Sequence, residues 1–288
     1  MKFSASMLKT YGNCQLQGKF SYMEKLPQKQ SASATFGTCV HEALEQYNEH
    51  RDVDAAVKRF LYTWENPEAL GVAPDFWHRR VTYGGLQETG VKAIMEYHES
   101  NVWADREMIA AEHKFCVPFG DRHLLSGIVD MLESPRGSSE LRVCDFKTAG
   151  SRPNADMLYL DLQFTTYYYA SLQPEFWLGF DDGSEGSKNP DGSPRYPPME
   201  NGEELYERFK GADRKVIWYH LRQNKELDCG PRDDGDFMRL MRCCDEIEKA
   251  VNHDIFVPSL SGNSCTFCSY TDICKAYVPS PIDTYDSF

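Results

Sequence analysis

The stretch LRVCDFKTAG, residues 141–150, places two charged residues at the end of an apolar strand pattern. Asp145 and Lys147 are two positions apart, and that spacing points both side chains to the same face of a strand. One interpretation is a surface salt bridge, which contributes on the order of 0–1 kcal/mol. The other is an active site, because ion-pair networks and active sites both bring opposite charges together.

A second aspartate favours the active site. Asp130 ends the apolar run LLSGIVD, 15 residues before Asp145, and the turn-forming segment SPRGSSE lies between them. The two aspartates are therefore expected at the ends of adjacent strands. Two such carboxylates beside Lys147 predict a site for Mg²⁺ or Mn²⁺, since buried aspartates without a cation would be costly.

Four other residues are candidates if they lie near this pair. His41 flanks an apolar helical stripe and is expected to face inward, although such a histidine is more often a core residue. Glu112 alternates with apolar strand neighbours, and its alternative is an exposed carboxylate. Gln163 and Tyr167 have the i, i+4 spacing that places an amide and a phenol on one helix face, and their alternative is ordinary helix packing.

The cysteines form a separate group. Cys265, Cys268 and Cys274 make a C-x2-C-x5-C array, which is too compact for ordinary core packing and indicates metal ligation. Cys14 is the preferred fourth ligand and His253 the alternative. Four irregularly spaced cysteines suit an iron–sulfur cluster at least as well as zinc, and a cluster that includes Cys14 would join the two ends of the chain. Three other cysteines are expected to be packing residues: Cys39, Cys116 and Cys144.

The elements that must position these residues follow from periodicity and turn residues. Helices are predicted at 3–12, 35–50, 53–65, about 75–100, 156–172 and about 233–253. Strands are predicted at 107–119, 122–133, 141–148 and 214–222. A Gly-, Pro-, Ser- and Asp-rich stretch at 179–200 is expected to be a mobile insertion.

One α/β domain is expected over residues 1–288, with a mixed central sheet flanked by helices. It divides into a mainly helical portion (1–105), a sheet core with the insertion (106–222) and a helix with the cysteine-rich tail (223–288). The net charge of −13 argues against a passive nucleic-acid coat but allows a local basic groove. The chain has no apolar run of about 18 residues and no signal-peptide core, so a cytoplasmic location in a bacterium or phage-infected cell is expected, without a membrane partner.

Seven motifs in order resemble the RecB-like branch of the PD-(D/E)XK nuclease superfamily. They are similar to the iron–sulfur exonucleases: the CRISPR-associated RecB-like exonucleases, their phage-encoded relatives and the nuclease domain of AddB. The motifs are SASMLKTYGNC, GTCVHEAL, AEHKF, LLSGIVD, VCDFKTAG, LQFTTYYYA and CTFCSYTDIC. The D/E-x-K motif begins with Asp here, whereas many relatives carry Glu, and the shorter side chain could shift the metal preference.

The resemblance implies a restriction-endonuclease-like fold and a role for each candidate residue. Metal binding is implied for His41, Asp130 and Asp145, and catalysis for Lys147, Asp130, Asp145 and Glu112. DNA contact is implied for Gln163 and Tyr167. Ligation of a [4Fe-4S] cluster is implied for Cys14, Cys265, Cys268 and Cys274.

The predicted function is Mg²⁺- or Mn²⁺-dependent exonucleolytic hydrolysis of DNA, mainly of single strands or DNA ends, with a 5′ to 3′ direction implied by the resemblance alone. DNA repair, recombination and CRISPR-type processing remain open as pathways. Because the chain lacks a G-x4-G-K-[ST] motif, unwinding would need a helicase or a recombination or CRISPR partner. One alternative is a non-catalytic DNA-end-binding or adaptor protein that retains the fold. Another is a zinc-stapled protein without a nucleic-acid role, which leaves the acidic residues unexplained.

Overall fold

The computed structural model describes residues 1–28, 30–70, 74–76, 82–150, 153–259, 265 and 268–276. Within these ranges the α-helices are α1 Ala5–Asn13, α2 Gln15–Gly18, α3 Ala32–His50, α4 Val53–Glu65, α5 Tyr83–Glu99, α6 Ala155–Leu160, α7 Leu162–Leu172, α8 Pro174–Leu178, α9 Gly202–Phe209 and α10 Asp234–His253. The strands are β1 Lys2–Ser4, β2 Gln30–Ser31, β3 Pro74–Phe76, β4 Arg106–Phe119, β5 His123–Pro135, β6 Leu141–Lys147, β7 Arg214–His220 and β8 Lys225–Asp228.

Six strands form one mixed sheet, in which β5 pairs with three other strands. One edge of β5 pairs antiparallel with β4 along almost its whole length. Its other edge pairs with β1 in parallel at Leu124–Ser126 and then with β6 antiparallel at Met131–Glu133. The sheet continues from β6 to a parallel β7 and an antiparallel β8. Between the segment of β5 that pairs with β1 and the segment that pairs with β6, the β5–β6 ladder ends and these two strands diverge.

The helices cover both faces of the sheet. Along β6, Leu141 and Val143 belong to one apolar core, which packs against α1, α7 and α10. Cys144 and Phe146 belong to the other core, which packs against α3, α4 and α5. This alternation is the period of two that a strand buried on both faces requires. The predicted mixed sheet flanked by helices is thereby confirmed.

Helix boundaries are set by polar capping side chains. Ser4 accepts a hydrogen bond from the Met7 amide and starts α1. Six more helices begin at a residue whose side chain accepts a backbone hydrogen bond: Ser31, Asp52, Thr82, Asn154, Asp161 and Asp233. The helices predicted at 35–50, 53–65 and 233–253 agree with these boundaries within three residues.

Two predicted helices differ from the structure. The helix expected at 156–172 is divided at Asp161, whose backbone is extended and whose side chain accepts a hydrogen bond from the Gln163 amide. An aspartate can compete in this way with the helix backbone, so α7 starts anew at Leu162. The helix expected from about residue 75 begins at Tyr83; Pro74–Phe76 forms β3, and residues 77–81 lie outside the described residues.

The stretch 179–200 has local structure of its own. Isolated β-bridges join Phe180 to Tyr196 and Lys188 to Pro194, and a short 3₁₀ turn spans Glu185–Ser187. The sequence, dominated by turn-forming residues, predicted none of these contacts. Among the described residues, no helix is both long and apolar enough to cross a membrane.

Candidate active site

The two aspartates singled out by the sequence lie where the ladder between β5 and β6 opens. The last paired residues there are Met131 and Cys144, so Asp130 and Asp145 come one position beyond them on opposing strands. Asp130 Oδ2 accepts a hydrogen bond of 2.6 Å from the Phe146 amide, which has left the ladder. The divergence of the strands therefore creates the position that Asp130 occupies.

Asp145 connects the strand to both a lysine and a helix. Its Oδ2 atom forms an ion pair with Nζ of Lys147, as the spacing on one strand face predicts. Its Oδ1 atom accepts a hydrogen bond of 2.9 Å from Gln163 Nε2 on α7. Asp145 is buried, whereas Lys147 is partly exposed, so the lysine faces the open side of the site.

Gln163 and Tyr167 lie together, and both contact the same part of the sheet. Gln163 Nε2 is 2.8 Å from the Tyr167 hydroxyl, and that hydroxyl donates a hydrogen bond of 2.7 Å to the carbonyl of Ile128. Tyr167 is only 3% exposed and belongs to the core, so its hydroxyl positions Gln163. Gln163 is the more accessible member of the pair.

A histidine from α3 and a glutamate from β4 complete the cluster. His41 Nδ1 lies 3.6 Å from Asp130 Oδ2. One ligand atom from each of His41, Glu112 and Asp130 lies within 4.8 Å of the others, close enough to bind one metal ion. Asp145 lies outside this group of three because its carboxylate turns toward Lys147 and Gln163. Glu112 is half-buried, and its carboxylate lies beside His41 and Asp130.

Glu112 has an unusual backbone. Its φ is +46°, in the left-handed region that residues with a Cβ rarely adopt. The register continues from Ala111 paired with Met131 to His113 paired with Val129, so Glu112 lies opposite Asp130. Such a conformation is costly, of order 1–3 kcal/mol, and is typical of functional sites. The sequence pattern contained no signal for it.

The three carboxylates are poorly balanced by positive charge. Burial, and next the charge of Asp130, raises the pKa of Glu112 to about 7. Burial also raises the pKa of Asp145 to about 6, against the opposing effect of Lys147. Burial acts to lower the pKa of His41, but the Asp130 carboxylate outweighs it and raises that pKa to about 9. Bound protons therefore reduce the negative charge of the cluster, and a divalent cation is the other way to balance it.

The residues present fit a divalent metal ion. Carboxylate oxygens and an imidazole nitrogen are suitable ligands for Mg²⁺ or Mn²⁺, and three of them already converge. A second group of this kind, which comprises His123, Asp245 and Glu248, is already balanced by Arg122 and the N-terminal ammonium. The excess of negative charge distinguishes the first group.

The four cysteines singled out by the sequence line one cavity. Cys14, Cys265, Cys268 and Cys274 contribute to it, together with residues of α2 and the segment around Ser259. The Ser259 amide donates a hydrogen bond of 3.3 Å to Cys14 Sγ. Burial raises the pKa of the Cys268 thiol, and the other three cysteines raise it further. Cys14 and three cysteines more than 250 residues later in the sequence therefore line the same cavity.

Three further cysteines lie apart from this cavity. Cys39, Cys116 and Cys144 are buried within the packed interior, in agreement with their interpretation as packing residues. His253, the alternative fourth ligand, is exposed at the end of α10 and does not line the cysteine cavity.

Comparison with known proteins identifies the family. A family model of the PD-(D/E)XK nuclease superfamily matches residues 2–275. The chain belongs to this superfamily. Its members are typically metal-dependent nucleases, and a DNA substrate and divalent metal ions follow from membership at that level. Asp145 and Lys147 have the residue types and spacing of the D/E-x-K motif that names the superfamily.

Other comparisons add little to this assignment. No curated protein matches the chain. Among solved structures, one described as the crystal structure of SSO0001 is similar over 92% of this chain and 96% of that chain. Its sequence identity is 12% and its TM-score is 0.30, so the superfamily assignment rests on the family match.

Proposed function

We propose that this member of the PD-(D/E)XK superfamily is a metal-dependent exonuclease of the RecB-like branch, acting on single-stranded DNA. The observation that carries the proposal is the convergence of His41, Glu112 and Asp130 beside the Asp145–Lys147 pair. The converging ligand atoms come from three different elements (α3, β4 and β5), so the fold itself brings them together. Neighbouring charges on one surface element would not show this convergence.

His41, Asp130 and Asp145 are proposed to hold the metal ion, with Glu112 as a further acidic residue of the site. A bound divalent ion supplies a Lewis acid that polarises a phosphoryl oxygen and favours deprotonation of water. Asp130 is held in place by the Phe146 amide, and Asp145 by Gln163. Both carboxylates are thereby fixed before any ligand arrives, which limits the reorganisation required at the site.

Lys147 is proposed as the catalytic lysine. Its ammonium group, partly exposed beside Asp145, can orient the attacking water and donate hydrogen bonds to the negative charge that develops on the phosphate. Gln163 is proposed to contact DNA at the edge of the site. Tyr167 acts as a positioning residue, because its hydroxyl lies between Gln163 and the sheet.

The cysteine cavity is proposed to hold a [4Fe-4S] cluster through Cys14, Cys265, Cys268 and Cys274. Four thiols and no other strong metal ligand among the described residues line this cavity. A zinc ion with sulfur bonds of about 2.3 Å needs its thiolates about 3.8 Å apart. Among the described residues, no three of these sulfur atoms all lie within 4.8 Å of one another, which favours a larger inorganic core over a single zinc ion.

Such a cluster would join the segment after α1 to the C-terminal tail. Gln15 already bridges these regions: its amide donates to the Val257 carbonyl and its side-chain oxygen accepts from the Val257 amide. The binding energy of the cluster would add to these few hydrogen bonds and stabilise the fold directly.

The finer features of the activity come from the resemblance. These are exonucleolytic cleavage, a preference for single strands and the 5′ to 3′ direction. A helicase or recombination partner would supply single strands from a duplex. Substrates labelled at either the 5′ or the 3′ end separate these features, because the first labelled product reports the end from which cleavage starts.

Hydrolysis of end-labelled single-stranded DNA with Mn²⁺ tests the active site. Lys147→Ala should reduce the rate on the order of 10³-fold or more. Lys249→Ala, which removes an exposed ammonium paired with Glu246 on α10, is the matched control and should leave the rate unchanged. A Lys147→Ala protein that cleaves at the parental rate contradicts the assigned site, and a parental protein that binds DNA ends without cleaving them identifies an adaptor.

Iron content and visible absorption test the cluster separately. Anaerobically purified protein should be brown and contain about four irons per chain. Cys14→Ser should lose the colour as Cys268→Ser does, whereas Cys39→Ala, at a buried packing position, should retain it. A colourless protein with one zinc per chain contradicts the cluster, and a metal-free Cys14→Ser protein of parental stability contradicts both metals.

A further inference from the structure

A cavity of about 520 Å³ adjoins the candidate active site. Gln163 and Tyr167 form the wall on the side of the catalytic residues, and Lys114 of β4 contributes another part. Asn189, Arg195 and Tyr196 line it from the insertion 179–200. The insertion, for which the sequence suggested no role, therefore forms part of a groove that reaches the candidate catalytic centre.

The insertion is held against the first strand of the sheet. Lys2 Nζ donates a hydrogen bond of 3.2 Å to the Gly186 carbonyl and lies 5.5 Å from the centre of the Tyr196 ring. The Arg195 amide donates to the Ser187 carbonyl at 2.9 Å. Tyr196 is 9% exposed, whereas the side chain of Arg195 is exposed. These contacts hold the backbone of the insertion beside the cavity.

The groove carries two exposed positive charges, one of which, Lys114, also interacts electrostatically with Glu45. Lys114 and Arg195 are both exposed, and neither forms an ion pair or a side-chain hydrogen bond with any residue in the described ranges. No carboxylate from those ranges lines the cavity, although the chain has a net charge of −13. Two exposed cations in a wall otherwise composed of hydroxyl, amide and apolar groups are complementary to an anionic ligand.

The position of the groove identifies that ligand. Gln163, which lines the cavity, donates a hydrogen bond of 2.9 Å to Asp145, so the cavity adjoins the residues of the candidate active site. The cavity is within the usual range of about 300–1,000 Å³ for small-ligand sites. That volume suits one or two nucleotides of a single strand and is too small for a duplex.

We propose that the insertion and β4 form a subsite for the sugar-phosphate backbone of single-stranded DNA next to the scissile phosphate. Lys114 and Arg195 contact phosphates, and Asn189 and the Tyr196 edge border the path of the strand. The subsite rests on the proposed nuclease function and adds the residues by which this chain retains its substrate. Contacts of this kind with phosphates position a strand without reading its sequence.

Binding of fluorescein-labelled dT20 in EDTA, measured by anisotropy, tests the subsite without hydrolysis. The double variant Lys114→Ala/Arg195→Ala should raise the Kd about tenfold. Each lost phosphate contact lowers the slope of log K against log salt by about 0.7 for single strands, so the slope should fall by about 1.4. The loss should be similar for mixed-sequence oligonucleotides. Lys188→Ala, an exposed lysine of the insertion outside the cavity, is the matched control and should stay within twofold of the parent.

Arg195→Lys and a duplex competitor complete the experiment. Arg195→Lys keeps the charge and should restore most of the salt dependence, and a duplex of equal length should compete poorly. Parental binding by the double variant, an equal loss in Lys188→Ala, or tighter binding of the duplex overturns the subsite. If the parent cleaves DNA with Mn²⁺ but the double variant binds normally, only the subsite is wrong. If the parent shows the predicted binding but never cleaves, the nuclease assignment is wrong and the groove stands.

Discussion

Two buried ionic clusters lie along the same strands, and they differ in how their charges balance. The candidate active site combines Glu112, Asp130 and Asp145 with His41 and Lys147. A second cluster, which we call the Arg–Glu network, combines Arg106, Glu133, Arg142 and Glu226.

The Arg–Glu network is internally neutral. Glu133 is fully buried between Arg106, at 2.9 Å, and Arg142, at 2.7 Å. Glu226 on β8 contacts the same two guanidinium groups. Burial acts to raise the pKa of Glu226, but Arg106 and Arg142 outweigh it and lower that pKa. Two acids and two bases therefore balance in formal charge, although Glu133 Oε2 is buried without a hydrogen-bond partner.

The candidate active site has more acid than base. Its carboxylates Glu112 and Asp145 have raised pKa values, in contrast to Glu226. Burial of charge therefore does not by itself distinguish a reactive site from a structural one. The difference lies in the stoichiometry of acids and bases, which leaves only one of the two clusters able to gain from a divalent cation.

Hydrolysis should separate the two clusters most strongly. Asp145→Asn should lower the rate of DNA cleavage on the order of 10³-fold or more, because it alters a group at the reacting centre. Glu133→Gln should cleave at nearly the parental rate at a temperature where both proteins are folded. Initial rates with Mn²⁺, corrected for the folded fraction by circular dichroism, check this. Equal losses in both variants would remove the distinction.

Stability should show the reverse order. Glu133→Gln should lower the free energy of unfolding by about 3–5 kcal/mol, because it removes one partner of a buried charge network. Asp145→Asn should be neutral or stabilising without metal, since burial already disfavours its charge. Urea unfolding in EDTA measures both values. A larger loss in Asp145→Asn than in Glu133→Gln contradicts the assigned balance.

Metal ions should stabilise the protein through one cluster only. At a free Mn²⁺ concentration about 100-fold above its Kd, binding to the native state adds about 2.7 kcal/mol to the free energy of unfolding. The parent and Glu133→Gln should both gain this increment, whereas Asp130→Asn/Asp145→Asn should not. Urea unfolding with increasing Mn²⁺ provides the measurement. An equal gain in the double variant would place the ion elsewhere.

The smallest effects should appear in the pH dependence of the metal-free protein, with opposite signs. Because the folded pKa of Glu112 is raised to about 7, the folded state binds more protons between about pH 4.5 and 7, so lowering the pH through this window should stabilise it. Glu226 has a lowered folded pKa, so its contribution is present above the unfolded value near 4.5 and is lost as the pH falls further.

Single substitutions separate these two contributions. Glu112→Gln should flatten the dependence between about pH 4.5 and 7, and Glu226→Gln should flatten it at lower pH. Free energies of unfolding measured across both windows provide the test. If Glu112→Gln flattened the dependence only at lower pH and Glu226→Gln flattened it between about pH 4.5 and 7, the assignment of these two residues would be wrong.

The candidate site was largely predictable from residue types and order. Asp130, Asp145 and Lys147 stood out because charged residues ended apolar runs, and the short turn between the runs made their strands neighbours. The structure brings these residues together. The roles of Gln163 and Tyr167 were less predictable, because i, i+4 spacing on a helix describes core packing equally well. In the structure Tyr167 is a core residue, and Gln163 reaches Asp145.

Other features were not predictable from local patterns. The three-residue β1 is too short for a recognisable period, yet it pairs in parallel with the part of β5 that lies beyond the β5–β6 ladder. The Arg–Glu network joins residues up to 120 positions apart, so no local spacing marks it. The insertion contained only turn-forming residues, and its approach to the site depends on contacts with Lys2.

By itself, the sequence determined which residues carry charge, which segments form helices or strands, and where capping side chains start the helices. These properties depend on neighbours within a few positions, and local free energies decide them. Only the tertiary structure decided that the β5–β6 ladder ends one residue short of Asp130 and that Glu112 adopts a left-handed backbone opposite it. It also decided that four distant cysteines line one cavity. Those outcomes depend on strand pairing and on burial between the two helical layers, which are set by packing across the whole chain.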